Sequence, residues 1–297
     1  MPSHALIITE STITVAVGIL CALSIIMYLL PQPTATVHRC PVDGSEVRRG
    51  MWTTPYQNAR SVQLSHATEH PKQYYPSHTD LIKHLHHGKN PYADLPADDR
   101  ADLERYRSYA QIAAPAIHAM VRKHLRSAPR FIVEVGSFIG SGVVYAWAPL
   151  VKGHGGAILS VDSWLGDVNM RLIKEFDYME LEHGVPIISR RFLQRMAREG
   201  LNNTVIPLAL PSLVGLRALS IFNWIIDIIY VDAAHEQGET YAELTIAYQL
   251  LRAGGLIMGD DYDDAFPAVV HDVDMFVADH NATIITFARN QWLVQKQ

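Results

Sequence analysis

Three aspartates and a histidine fall in two short stretches of the 297-residue chain, Asp232-Ala-Ala-His235 and Gly259-Asp260-Asp261-Tyr262. Each stretch closes an apolar run, IIDIIYVD (225–232) and GLIMGD (255–260), of the kind that forms strands covered on both faces. If these strands are neighbours, about 4.8 Å apart, their terminal carboxylates converge on one volume. Carboxylates so crowded repel one another unless a cation joins them. Hard oxygen donors with open positions suit Mg²⁺, Mn²⁺ or Ca²⁺ better than zinc. Asp260 and Asp261 could instead cap the following helix, and Asp232 could bind a ligand amine. An imidazole titrates near about pH 6.5, so His235 could take a proton from a hydroxyl beside such a cation. A packing histidine is the alternative.

Two earlier strand ends are polar as well. The first reads Glu134-Val-Gly136-Ser137-Phe138-Ile-Gly140-Ser-Gly142, a glycine-bearing turn that lets backbone amides approach a ligand closely. It has Phe138 where a dinucleotide fingerprint needs its second glycine, and it lacks the lysine of a P-loop. The second is Asp162-Ser163-Trp164, where a carboxylate can accept from vicinal ribose hydroxyls and an indole offers a stacking face. A nucleoside without a pyrophosphate fits this pair, although Asp162 alone could cap a helix.

The elements that must position these residues are short Val/Ile/Leu runs at 131–136, 157–162, 204–210, 225–232 and 255–260, separated by stretches long enough for crossover helices. Two last runs, 283–288 and 291–296, are divided only by Arg289 and Asn290 and predict an antiparallel hairpin. The sum is an α/β fold: a doubly wound, Rossmann-like, seven-stranded sheet, mostly parallel with a C-terminal antiparallel hairpin. A helix is expected over about 101–126, with Pro115 inside it.

Ahead of this domain (99–297) the sequence divides into 1–30 and a Pro-, His- and Tyr-rich stretch, 31–98, expected to be a tether and irregular or lid-like region. His66, His70, His78, His84, His86 and His87 crowd it without a recognised ligand spacing. Ser11–Leu30 carries no charge over twenty residues, enough to span roughly 30 Å of hydrocarbon as a transmembrane helix. Arg39, Arg48 and Arg49 after it place the long C-terminal part on the cytoplasmic side, which predicts a single-pass membrane protein. With 25 Lys and Arg against 30 Asp and Glu, the net charge of -5 gives no footprint for a nucleic-acid backbone. Two cysteines, Cys21 and Cys40, exclude a disulfide framework.

Over about 100–297 the motifs EVGSFIGSG, VDSW and IIYVDAAHEQGETYAELTIAYQLLRAGGLIMGDDY, with the terminal RNQWLVQK, resemble the class I S-adenosylmethionine (SAM)-dependent methyltransferases. The third motif is similar to their metal-dependent O-methyltransferase branch, which includes macrolide-sugar enzymes. The resemblance implies that Glu134, Gly136 and Ser137 line the methionine end of the cofactor. It also implies that Asp162 holds the ribose, with Ser163 beside it and Trp164 near the adenine. Asp232, Asp260 and Asp261 would bind a divalent cation, Mg²⁺ by expectation, and His235 would be the base. The function it implies is methyl transfer to a hydroxyl oxygen of a small molecule or glycan; the apolar segment 11–30 adds the expectation of a membrane anchor, and the helix over 101–126 could serve as a homo-oligomer surface or cover the cofactor site. A membrane-tethered SAM-fold module that only binds a partner, and a metal-dependent hydroxylase on the same fold, are the competing readings.

Overall fold

The computed structural model describes residues 72–96, 109–168, 170 and 181–297. Helix α1 (His78–Leu85) starts at Ser77, whose hydroxyl accepts from the Asp80 amide while the Asp80 carboxylate accepts from the Ser77 amide, a reciprocal cap. Helix α2 (Tyr109–His124) runs through Pro115. Strand β1 (Phe131–Val135) leads into a π-helical turn, Val143–Trp147, and α3 (Ala148–Val151). Then come β2 (Ala157–Asp162), a small hairpin of β3 (Leu181–Glu182) and β4 (Val185–Pro186), α4 (Ile188–Arg198) and β5 (Val205–Ala209). The chain ends with α5 (Ser212–Leu219), β6 (Ile226–Val231), α6 (Glu239–Leu250), β7 (Leu251–Gly259), α7 (Pro267–Asp279), β8 (Ile284–Phe287) and β9 (Gln291–Gln295).

Seven of these strands form one sheet in the order β5-β2-β1-β6-β7-β9-β8. The first five pair in parallel, and β9 runs antiparallel to both β7 and β8. Ile132, Ile158, Ile228 and Met258 pack on one face with Val143, Trp147, Phe192 and Met196. Val133, Leu159, Ile229 and Ile257, pointing the other way, are equally buried. Continuous apolar strands are therefore explained by cover on both faces, each buried side chain contributing about 1.5–3 kcal/mol. Asp227, buried at the start of β6, accepts from the Arg130 and Phe131 amides, the Tyr75 hydroxyl and Arg252 Nε. That carboxylate ties β1, β6 and β7 together at their N-terminal ends and so fixes the register in which they reach the opposite end.

Residues 72–96 lie along the edge strand β5. His86 Nε2 meets the Pro207 carbonyl at 2.8 Å, the Tyr92 hydroxyl donates to the Val205 carbonyl, and His78 Nε2 meets the Asn202 carbonyl. His84 packs against Phe222 and Trp224. His78 and His86 thus help to cover the sheet edge, His87 is exposed, and His66 and His70 lie outside the described residues.

Two expectations are corrected. Among the described residues no helix is long and apolar enough to cross a membrane, so the fold class is the α/β sheet domain without the transmembrane helix, and the single-pass, cytoplasm-facing localisation falls with it. The segment 11–30, on which both rested, lies outside the described residues. Its physical basis was absence of charge over a spanning length, which is a property of composition and does not by itself make a helix.

Candidate functional site

Register puts Val135, Val231 and Gly259 in one row across β1, β6 and β7. The next residue of each strand, Gly136, Asp232 and Asp260, therefore stands at the carboxyl edge, where the strand order reverses between β1 and β6 and open α/β sheets bind ligands. The neighbourhood of β6 and β7, on which convergence of the aspartates depended, is real.

After β1 the chain turns through Gly136 at φ 87° and Phe138 at φ 44°. The left-handed backbone at Phe138 carries a side chain where glycine would be unstrained, at a cost of the order of 1–2 kcal/mol. The conformation is held from β2: the Asp162 carboxylate accepts from the Phe138 amide at 2.7 Å and from the Trp164 amide at 2.6 Å. Trp164 Nε1 closes the loop by donating to the Phe138 carbonyl at 2.7 Å. Burial raises the Asp162 pKa, against the amides that favour its charge. Asp162 and Trp164 brace the glycine-bearing loop from behind and, with Ser163, are not among the residues that line the cavity in front of it.

That cavity has a volume of about 490 Å³. At its β1 end lies Glu134, 2% exposed, with Oε1 accepting from Trp147 Nε1 at 2.8 Å. Burial pushes its carboxyl up to about 7, with hydrogen bonds from Ser137 and Trp147 working the other way. The buried Ser137 hydroxyl lies beside this carboxylate and favours its charged form. Tyr230, the register neighbour of Glu134 on β6, lines the same cavity with Asp232, Asp260, Asp261 and Phe266.

The acidic group is arranged differently from its sequence order. Asp232, Asp261 and His235 each offer a donor atom within 4.8 Å of the others, and among the described residues this is where three metal-ligating side chains converge. Asp260 lines the same cavity but turns aside: one oxygen accepts from the Asp261 amide and the other lies 3.5 Å from the Tyr230 hydroxyl. Tyr230 also donates to Gln291 Oε1 at 3.1 Å. Burial, then the charges of Asp260 and Asp261, hold Asp232 well above the usual carboxylate range. Burial and Asp261 raise Asp260 as well.

His235 is engaged at both nitrogens, Nε2 with Asp261 at 2.8 Å and Nδ1 with Asp167 at 3.1 Å. Burial opposes its charge, but hydrogen bonds to Asp167 and Asp261 and the charges of Asp232 and Asp261 prevail and push it up to about 10. Asp167 is a site residue that sequence reading missed. It comes from the loop after β2, and its only signal was a carboxylate just beyond a functional strand end.

Residues 133–262 match a family of sequences described as a methyltransferase domain. This stretch of the chain is similar to a methyltransferase domain. The resemblance of the glycine-bearing loop and of the β6–β7 unit to that family is thereby borne out. Solved structures similar to the domain include the O-methyltransferase TomG from Streptomyces achromogenes, involved in tomaymycin synthesis and solved with SAM. It is 16% identical, over 68% of this chain and 93% of that one, with a TM-score of 0.46. An O-methyltransferase from Bacillus cereus in complex with SAH is 17% identical, over 82% and 98% of the two chains, at a TM-score of 0.41. CalS11, a TDP-rhamnose 3'-O-methyltransferase of calicheamicin biosynthesis, is 14% identical, over 82% and 93%, at 0.44. No curated protein sequence gives a significant match.

Proposed function

We propose that the protein transfers the methyl group of SAM to a hydroxyl oxygen of a small molecule or glycan, assisted by a divalent cation at the ends of β6 and β7. The observation that carries this reading is one cavity of about 490 Å³ lined both by the buried Glu134 carboxyl and Ser137 hydroxyl and by the crowded carboxylates Asp232, Asp260 and Asp261. A volume in the range of about 300–1,000 Å³ is that of a small-ligand site.

The Glu134 carboxylate fits an ammonium group, and the Ser137 hydroxyl fits a further polar atom of an amino-acid end. Asp162, Ser163 and Trp164 stand outside the cavity wall, so Asp162 and Trp164 would act on the cofactor through the loop they hold, Ser163 lying between them. Asp232 and Asp261, with Asp260 next to them, are donors of the type a divalent cation takes. Such a cation supplies Lewis acidity, lowering the pKa of an acceptor hydroxyl that is otherwise a poor nucleophile. The residues of this chain hold the donor at one end of the cavity and the acceptor at the other, which removes the entropic cost of their meeting.

The test is calorimetric titration of SAM into the full chain and into Glu134→Gln and Asp162→Ala. It is paired with transfer of labelled methyl to a panel of phenols, sugars and nucleotide sugars, with and without a chelator. Micromolar binding that weakens in both variants, and transfer that stops on chelation, are expected. No binding to folded protein would overturn the methyltransferase reading, and transfer indifferent to chelator would overturn the cation.

A further inference from the structure

We infer that Arg289 selects the acceptor: the guanidinium at the tip of the β8–β9 hairpin binds an anionic group, carboxylate or phosphate, carried by the hydroxyl compound that enters the cavity. This rests on the methyl-transfer reading above and names the class of acceptor for that same site.

Arg289 is the one cationic side chain among the described residues that line the cavity, where it stands with five carboxyls, Glu134, Asp232, Asp260, Asp261 and Asp263. An arginine placed to neutralise that charge would pair with one of them. Among the described residues its exposed side chain makes no ion pair, hydrogen bond or ring contact. The carboxyls draw on other donors of the chain instead. Glu134 accepts from Trp147, Asp260 from the Asp261 amide and Asp263 from the Ala265 amide. Asp261 meets His235 and, at 3.4 Å, Asn290 Nδ2. From the hairpin, therefore, it is Asn290 that reaches the acidic group, and the guanidinium beside it is left for a group from outside.

The backbone that presents Arg289 is held in place. Ala288 takes φ 51°, a left-handed conformation that a side-chain-bearing residue adopts at a cost. The Tyr262 amide donates to the Asn290 carbonyl at 3.0 Å, and Trp292 Nε1 donates to the Asp260 carbonyl at 3.0 Å. Both contacts pin the hairpin to the acidic turn, so position 289 is fixed at the cavity wall and only its side chain has freedom to adjust. A planar fork of N–H donors, charged at every accessible pH, matches a carboxylate or phosphate in two parallel hydrogen bonds. Without it the five carboxyls would repel any anionic compound from the cavity. Arg289 offsets that repulsion at one place on the wall, which favours an acceptor whose charge sits there while its hydroxyl faces Asp232 and Asp261.

The full-length protein is titrated by calorimetry with two matched pairs: para-hydroxybenzoate against para-hydroxybenzamide, and glucose-1-phosphate against glucose. Arg289→Gln and Arg289→Lys are run beside it, each checked for folding by thermal denaturation. The wild type is expected to bind at least one anionic member about tenfold more tightly than its neutral partner. Arg289→Gln should lose that preference, with affinity for the neutral partner within about twofold of wild type, while Arg289→Lys keeps part of it. Because the guanidinium is exposed, the preference should shrink severalfold as salt is raised to about 0.5 M. Preference confined to the benzoate pair assigns a carboxylate, and preference confined to the sugar pair a phosphate. Equal affinity within both pairs, binding of neither member, or a preference that survives in Arg289→Gln overturns the proposal. SAM titration and labelled-methyl transfer separate it from the reading on which it rests. Absent SAM binding with an intact Arg289-dependent preference removes methyl transfer and leaves the anion subsite standing. Methyl transfer that treats neutral and anionic acceptors alike removes the anion subsite and leaves methyl transfer standing.

Discussion

The α-carbon of Gly136 lies so close to the Asp232 carbonyl that a β-carbon at position 136 would sit 1.7 Å from that oxygen. The loop that would carry the cofactor and the strand end that carries the acidic group are thus packed backbone to backbone, and Gly136 at φ 87° is what permits it. Gly136→Ala must move one of them. A loss of about 2–3 kcal/mol of stability is expected, with SAM and metal affinities falling together. Thermal denaturation and the two titrations check this; a variant that loses one affinity and keeps the other would show the two subsites to be independent.

Glu134 gives a pH signature. Its folded pKa of about 7 lies above the unfolded 4.5, so its contribution to the stability of the ligand-free protein is complete below 4.5 and is lost as pH rises through about 7. An ammonium ligand prefers the ionised carboxylate, so SAM affinity should rise over the same interval. Glu134→Gln, which keeps an acceptor for Trp147, should bind SAM about tenfold or more weakly and with a flat pH dependence. Titrations at several pH values read both effects. A wild-type affinity that falls with rising pH would contradict the assignment.

The five parallel strands and the final hairpin were legible because Val/Ile/Leu runs with long or two-residue connections admit few alternatives. The aspartates at the ends of β6 and β7 were legible for the same reason, since a strand's last residue is fixed by its register. The division of labour among them was not. Asp260 and Asp261 are adjacent in sequence, yet a left-handed backbone at Asp261, φ 62°, sends their side chains to different partners. Asp167 reaches His235 across 68 positions of chain, a contact that no local spacing encodes. His86 found its partner on strand β5, and His78 on the turn before it, for the same tertiary reason.

Glu243 tests burial apart from ligand binding. It is 0% exposed on α6, and burial raises its pKa to about 8, with Glu239 adding to the shift and Ser212 opposing it. Because the folded value is the higher one, the stabilisation it gives is present below the unfolded 4.5 and lost as pH climbs through about 8. Glu243→Gln should therefore gain on the wild type steadily between about pH 5 and pH 8 and hold a constant difference above that. Denaturant unfolding at pH 6, 7.5 and 9 measures it. A difference independent of pH would mean that the carboxyl ionises in the fold as it does in the unfolded chain.

Trp292 connects the hairpin to the acidic turn. It is fully buried opposite Gly259 in the β7–β9 register, and its indole N–H donates to the Asp260 carbonyl at 3.0 Å. A β-carbon on Gly259 would lie 2.4 Å from the ring, so glycine and tryptophan are fitted to each other. Beyond them the Tyr262 amide donates to the Asn290 carbonyl, and the hairpin holds the turn from both sides. Trp292→Phe keeps most of the ring and removes the donor, leaving a buried carbonyl short of a partner. The expected cost is about 1–2 kcal/mol of stability. Metal affinity should fall severalfold, because Asp261 is no longer held at its angle to His235. SAM affinity should stay within about twofold, since Glu134 and Ser137 are braced from β2 and the π-helical turn instead. Parallel metal and SAM titrations distinguish this from general loosening, in which both would decline together.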